Sequence, residues 1–152
     1  MKKYTFSTAF ILSMLLLGSV FAQETKLSKK QMPAAVMQAF HTAYPKATVK
    51  GTNKEIKDKV AYFEIESKDG ATKRDILYKA DGSVVEVEEI IGKNALPEAV
   101  KTSLKNNYST YAVKSIEKNT QGSVTHYEVM LAPKHGKKTE VVFDETGAVV
   151  KQ

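Results

Sequence analysis

The chain has no cysteine and only three histidines among its 152 residues. Without cysteine an exported protein of this sequence cannot form disulfides, so burial of apolar side chains must supply its stability. The same absence excludes a thiol nucleophile, and no serine lies in a Gly-x-Ser-x-Gly elbow. The histidines, His41, His126 and His135, include no pair at the i, i+4 spacing of a helical metal site. We therefore predict no enzyme activity, no catalytic residue, no metal site and no cofactor.

The sequence also lacks a continuous run of basic residues. Lysines alternate with acidic residues, as in residues 54–59, whereas nucleic-acid binding requires a basic stripe. The one basic stretch, residues 134–138, includes Gly136 and is typical of a hairpin tip, although it offers a docking point for an acidic partner. We expect no nucleic-acid partner.

No apolar segment has the length of about 20 residues that a membrane-spanning helix needs. Residues 10–17 are a shorter apolar stretch after Lys2 and Lys3, and Val20-Phe21-Ala22 has small residues at the positions read by signal peptidase. This pattern predicts a signal peptide over residues 1–22, the alternative being an uncleaved anchor. We expect a periplasmic or secreted protein without membrane contact after cleavage, in which Gln23 is the first residue.

Most of the remaining chain is a duplicated unit, repeated at an offset of 64 or 65 residues. The matched segments are 32–36 with 96–100, 63–65 with 127–129, and 77–85 with 142–150. Each unit starts with apolar residues at helical spacing after Pro33 or Pro97, and prolines fit the first turn of a helix. The exact helix starts stay open, because Ser28 and Gln31 have the spacing of a capping box.

After each helix the apolar period changes to two, which indicates half-buried strands separated by glycine turns. The sequence therefore predicts an α+β fold, in which two tandem repeats of one helix and four antiparallel strands share one sheet with the helices on one face. The repeats would cover about residues 30–91 and 94–152 of a single domain, 23–152.

These motifs resemble those of the PepSY-like proteins, and more narrowly the beta-lactamase-inhibitor-like group of exported Bacteroidetes proteins. The resemblance rests on Met32-Pro33 and Leu96-Pro97 before an Ala-Val pair, on the aromatic-Glu-aliphatic strands at 63–65 and 127–129, and on the Gly-x-Val-Val hairpins. It implies a concave sheet that binds another protein. PepSY-type domains are associated with restraint of peptidases, so the resemblance also implies a peptidase as a target class.

The candidate partner-binding residues lie on predicted polar strand faces or have no position in the repeat or core pattern. They are Tyr62, Glu64, Glu66, Tyr111, His126 and Glu128. A tyrosine flanked by charge on the helix-free face of a sheet is typical of an interface anchor, and the alternative is a tyrosine half covered by its neighbours. Glu86 and Glu88 share a strand face, which indicates either a calcium or acid–base pair or a charged, exposed edge.

We expect a non-catalytic exported protein-binding module, with an unidentified protein partner in the periplasm and an undetermined oligomeric state. An inhibitor or modulator of a periplasmic enzyme of the peptidase or beta-lactamase type fits this expectation. The alternative is a small-ligand or calcium-binding carrier that uses the acidic residues.

Export should remove residues 1–22, because the apolar stretch is followed by a cleavage pattern. Intact-mass spectrometry of the protein from the periplasm of its host should then give a chain that begins at Gln23. A mature species that retains residues 1–22 would contradict the assignment.

Overall fold

The computed structural model describes residues 23–151. The segment predicted as a signal peptide lies outside these residues. The helices are α1 (Ala34–Ala43) and α2 (Glu98–Asn107), each preceded by a short 3-10 helix, Lys29–Gln31 and Lys93–Ala95. The strands are β1 (Gln23–Lys26), β2 (Thr48–Lys57), β3 (Val60–Asp69), β4 (Thr72–Lys79), β5 (Val84–Ile90), β6 (Ala112–Gln121), β7 (Val124–Ala132), β8 (Thr139–Asp144) and β9 (Val149–Lys151).

All nine strands form one sheet, in which each strand pairs antiparallel with the next along the chain. The junction between the repeats is the pairing of β5 with β6, from Val87 opposite Thr120 to Ile90 opposite Glu117. The α+β prediction with one shared sheet is confirmed. The first repeat has one strand more than predicted, because Gln23–Lys26 pairs with β2 at the edge of the sheet.

Each helix begins directly after its proline, which occupies the N-cap position. The capping box of Ser28 and Gln31 is present, but it caps the N-terminus of the preceding 3-10 helix and not that of α1. Each helix ends at a tyrosine: the backbone N–H of Tyr44 donates to the carbonyl of Phe40, and that of Tyr108 to the carbonyl of Leu104. The two helices predicted after the prolines are therefore present, and the structure gives the starts that the sequence left open.

Both helices pack against the same face of the sheet, and each forms its own buried cluster. The first cluster contains Met32, Val36, Phe40, Val49, Phe63, Ile65, Ile76 and Tyr78. The second contains Leu96, Val100, Leu104, Ile116, Tyr127, Val129, Leu131, Val141 and Phe143. The opposite face of the sheet carries no helix, and we call it the open face.

A glycine in each repeat allows the helix to approach a turn of the sheet. Gly82 and Gly147 have φ values of +86° and +79°, which side chains rarely adopt. A Cβ atom on Gly82 would lie 2.7 Å from the carbonyl oxygen of Ala35, and one on Gly147 would lie 2.5 Å from that of Ala99. Ser103 Oγ also donates a 2.6 Å hydrogen bond to the Gly147 carbonyl. Only glycine therefore fits where the turn meets the first residues of the helix.

The repeat provides a matched test of the buried polar atom in the first core. Tyr78 is 0% exposed, and its hydroxyl has no hydrogen-bond partner among the described residues. Phe143 occupies the corresponding position in the second repeat. We predict that Tyr78→Phe raises the free energy of unfolding by about 1 kcal/mol, because it removes an unpaired buried hydroxyl.

The reverse change, Phe143→Tyr, should lower the free energy of unfolding by roughly 1–3 kcal/mol, since it buries a hydroxyl in an apolar cluster. Urea unfolding of both variants measures the two effects. A loss of stability in Tyr78→Phe as large as that in Phe143→Tyr would show that the Tyr78 hydroxyl has a partner in solution.

Candidate functional site

The open face is formed by the strand residues that alternate with the core residues. On β3, Phe63 and Ile65 belong to the core cluster, so Tyr62, Glu64 and Glu66 lie on the open face. On β7, Tyr127 and Val129 belong to the core, so His126 and Glu128 lie on the open face. The structure therefore brings five of the six candidate residues to one face.

Tyr111 lies elsewhere. It follows α2 and packs against the second core cluster, with its ring 5.8 Å from that of Tyr108. It also lines a separate depression together with Lys93, Lys101 and Lys105. Tyr111 is therefore on the helix side of the sheet, because the chain must return from the helix to the start of β6 there.

A single row of residues crosses the middle of the open face. In consecutive strands from β3 to β5, Glu66 lies opposite Asp75, and Asp75 opposite Glu88. The row continues through Asn119 and His126 to Asp144 on β8. Three carboxylates thus lie directly opposite one another, and like charges in that arrangement destabilise a sheet.

Two asparagines hold the carboxylates on either side of β4. Asn53 Nδ2 on β2 donates to Glu64 Oε2 at 2.8 Å and to Glu66 Oε1 at 3.2 Å. Asn119 Nδ2 on β6 donates to Glu86 Oε1 and, at 3.1 Å, to Glu88 Oε1. Each amide therefore bridges two carboxylates of the adjacent strand. We call the five acidic residues between the asparagines, Glu64, Glu66, Asp75, Glu86 and Glu88, the acidic patch.

The patch is unusually buried for a face without helices. Glu64 is 5% exposed and Glu86 is 2% exposed, so neighbouring side chains of the sheet cover them. The interpretation of Glu86 and Glu88 as an exposed or edge pair is wrong, because β5 is the central strand of nine. The alternation of the sequence indicated the correct face but not the burial, since burial depends on which residues the neighbouring strands place alongside.

Burial raises the pKa of several carboxyl groups on this face. Desolvation, opposed by the Asn53 hydrogen bond, raises the pKa of Glu64 to about 7. Desolvation together with the charges of Glu66 and Glu117 raises that of Asp75 to about 6. For Glu88, desolvation and then the charges of Glu86, Glu128, Glu117 and Asp75 raise the pKa to about 9. At neutral pH these raised pKa values favour the protonated form of Glu88 and leave Glu64 partly protonated.

Gly51 leaves space for the Glu66 carboxylate. The β2–β3 register shifts between Val49 and Gly51, and Gly51 then lies opposite Glu66. A Cβ atom on Gly51 would lie 2.6 Å from Cδ and Oε1 of Glu66. The glycine therefore lets the carboxylate lie over the backbone of β2, within reach of Asn53.

A cleft of about 260 Å³ opens beside the patch. Glu66, Asp75, Glu88 and Glu117 contribute acidic groups to it, and Lys50, Lys68 and Lys73 line it as well. Within residues 23–151, no group of three or more His, Asp or Glu side chains is arranged to hold a metal ion. No helix in the same range is long and apolar enough to cross a bilayer.

Sequence reasoning missed three residues of this site, namely Asn53, Asp75 and Asn119. The pattern of β4 would have assigned Asp75 to the open face, because Asp75 alternates with Ile76 and Tyr78, which are core residues. The asparagines gave no such signal, because their role depends on the register of the β2–β3 and β5–β6 pairs, and the β2–β3 register shifts at the Val49/Gly51 bulge.

We predict that the free energy of unfolding falls as pH rises from about 4 to about 9. The pKa values of Glu64, Asp75 and Glu88 are raised in the folded state, so in this window the folded protein retains protons that the unfolded chain releases. The stability that these groups contribute is fully present below their unfolded pKa values of about 4. It is lost as the pH rises through their pKa values in the folded protein. Urea unfolding at a series of pH values measures the slope.

The variant Glu88→Gln should flatten the slope above about pH 7, because it removes the group with the highest pKa. Glu98→Gln, on the exposed surface of α2, is the matched control and should leave the slope unchanged. A wild-type stability that is constant or rising between pH 5 and 9 would contradict the prediction.

Solved structures with the same fold come from Bacteroides. A BLIP-like protein from Bacteroides fragilis is 24% identical, with a TM-score of 0.61 over 77% of this chain and 82% of that one. A DUF2874 family protein from Bacteroides uniformis is 18% identical, with a TM-score of 0.64 over 78% and 86%. A protein from Bacteroides eggerthii, described as periplasmic, is 18% identical, with a TM-score of 0.63 over 78% and 86%. At these identities the likeness shows the fold alone.

No curated protein matches the chain. One family model matches it twice, over residues 19–85 and 61–151. The two matches together extend over both repeats and all nine strands. The chain therefore belongs to the family described as "Putative beta-lactamase-inhibitor-like, PepSY-like".

Proposed function

We propose that the protein is a non-catalytic exported module that binds another protein through the open face of its sheet. The proposal rests on the observation that helices cover the sheet on one side only. The helices pack on one face, and Tyr62, Glu64, Glu66, His126 and Glu128 lie together on the other. A broad sheet face with an aromatic residue among polar ones is suited to a protein interface.

The partner that this proposal favours is a periplasmic enzyme, of the peptidase or beta-lactamase type, which the protein inhibits or modulates. The inhibitor-like description of the family supports this class, as does the fold shared with a BLIP-like protein. The similar protein from Bacteroides eggerthii, which is described as periplasmic, supports the location. Cleavage of residues 1–22 would release the domain 23–152 into that compartment.

Tyr62 is the proposed anchor of the interface. It is half-buried on β3, between Glu55 on β2 and Lys79 on β4, so its ring rests on the sheet while part of it stays accessible. Tyrosine provides a large contact area together with a hydroxyl that can pair across an interface. The position near one side of the acidic patch would place an apolar contact next to charged ones.

The second candidate function is a small-ligand or calcium-binding carrier. The observation that favours it is the number of carboxylates in the acidic patch, since Ca²⁺ prefers carboxylate oxygens, and binding would require these side chains to move because no three of them are arranged to hold an ion among residues 23–151. A carrier of this kind would show a melting temperature that rises with millimolar calcium and not with magnesium. A binding module that needs no ion would show neither shift.

We predict that Tyr62→Ala weakens the complex by more than about 1 kcal/mol and leaves folding intact, because Tyr62 is only half-buried. Residues 23–152 are immobilised, and a periplasmic extract of the native host is passed over them. Mass spectrometry then identifies what is retained, and calorimetry measures the affinity of the purified partner.

Lys105→Ala, on the exposed surface of α2, is the control on the other side of the sheet. A single enriched enzyme that is competed by free protein, retained by Lys105→Ala and weakened by Tyr62→Ala would support the proposal. Equal affinity for both variants would contradict the assignment of the open face.

A further inference from the structure

The edge strand β1 occupies the same position on β2 that the second half of β5 occupies on β6. At the repeat offset of 64 residues, 23–26 are equivalent to 87–90. β1 pairs with 53–56 of β2, and 87–90 of β5 pair with the equivalent residues of β6, 117–120, in the same register. β1 is therefore the structural counterpart of the second half of β5, although the two segments share little sequence.

The strand at the other edge, β9, corresponds to the first half of β5 only. At the offset of 65 residues that applies there, 149–151 are equivalent to 84–86. In the first repeat β5 continues beyond these residues, and 87–89 pair with 74–76 of β4. The equivalent residues of β8, 139–141, pair with β7 on one side and with no strand of the described part of the chain on the other. This part of β8 is an open edge, and the segment that fills the equivalent edge of β4 is the counterpart of β1.

The backbone groups of the two edges have the alternation that such a pairing needs. The N–H of Asp144 donates to the carbonyl of Ala148, away from β7, so the N–H and C=O of Glu140 also point away from β7. The N–H of Leu27 donates to a carbonyl of β2, so the N–H and C=O of Glu24 point away from β2. Glu24 and Glu140 therefore each present a backbone donor and acceptor to the outer side of their edge.

We propose that β1 of a second copy of this chain pairs with the open edge of β8, so that copies associate head to tail into a continuous sheet. The register is that of β5 on β4, in which Glu24 of the second copy lies opposite Glu140 and Thr25 lies opposite Thr139. β1 then pairs with β2 of its own chain and with β8 of the neighbouring copy, as the second half of β5 pairs with β6 and β4. This contact uses the sheet edges and is separate from the open face.

Two features of the contact determine its behaviour. It joins different surfaces of the two copies, so it does not close and the assembly grows with protein concentration. Glu24 and Glu140 place like charges opposite each other, which weakens the pairing and keeps it reversible. The contact also requires the predicted cleavage before Gln23, because residues that precede Gln23 would meet β9 of the neighbouring copy.

Disulfide trapping tests the register directly, since the chain has no cysteine of its own. Two single variants of residues 23–152, Thr25→Cys and Thr139→Cys, are mixed and oxidised, and the products are identified by intact mass. Both threonines are exposed, and their strands are seven positions apart in the sheet, so a disulfide between them joins two copies. In the proposed register the two residues form a non-hydrogen-bonded pair, whose spacing suits a disulfide.

The control is a mixture of Thr25→Cys with Thr102→Cys, which lies on the exposed surface of α2. We expect the Thr25→Cys and Thr139→Cys mixture to form its heterodimer at least about tenfold faster than the control mixture, because pairing holds the two thiols together. A chain that carries both edge substitutions should give a ladder of linked oligomers. Thermal melting of each variant checks that it is folded.

A rate no higher than that of the control mixture would overturn the inference. Homodimers of either edge variant in preference to the heterodimer would also overturn it, because they would show symmetric pairing of like edges.

Sedimentation velocity of the cysteine-free chain provides a second measurement. Glu24→Lys should strengthen association roughly two- to fivefold, because a lysine opposite Glu140 replaces a like-charge pair with an opposite-charge pair. Glu98→Lys, on the exposed surface of α2, makes the same change of charge and is the matched control. Equal effects of the two substitutions would show a response to net charge alone and would contradict the proposed register.

Discussion

The close approach between each helix and the turn that follows β4 or β8 limits how the two layers of this fold can fit together. Gly82 and Gly147 lie against the carbonyl groups of Ala35 and Ala99, at distances that leave no room for a side chain. The contact orients α1 and α2 on the same face, where each helix buries its apolar stripe on its own half of the sheet. The other face must then be stabilised without a helix, by interactions among side chains of the strands alone.

That requirement explains why the open face is both crowded and polar. A sheet face with many apolar residues would favour association with other sheets, whereas charged residues oppose it. Here Leu77 and Val142 are buried on the open face among polar neighbours. The bridging amides of Asn53 and Asn119 satisfy some of the carboxylates, and like-charge neighbours destabilise the rest. Loss of stability at a functional surface is common in natural proteins, which sit near a stability threshold.

The elements of the fold were predictable because their signals are local. Helical spacing of Val36 and Phe40, and alternation around Phe63 and Ile65, reflect which side chains are buried, and burial follows the periodicity of each element. The strand Gln23–Lys26 was not predictable, because four polar residues carry no alternating apolar pattern. Its pairing with β2 depends on the exposed edge that the rest of the sheet provides.

The site was predictable only in part, because only some of its residues are positioned by a local pattern. Tyr62, Glu64 and Glu66 share a face because they alternate on one strand, and the repeat extends this to His126 and Glu128. Tyr111 lies on the other side of the sheet because it belongs to the connection between α2 and β6 and not to a strand. The row from Glu66 to Asn119 depends on the register of three strand pairs, one of which contains a bulge, and no local pattern encodes such a row.

The central claim is that the open face is the binding surface. The most direct measurement is chemical-shift mapping by NMR of isotope-labelled residues 23–152 with and without the captured partner. The account predicts shifts at Tyr62, Asp75, Glu88 and Asn119, with little change along α1 and α2. Shifts confined to the two helices and to Tyr111 would contradict it and place the interface on the helix side.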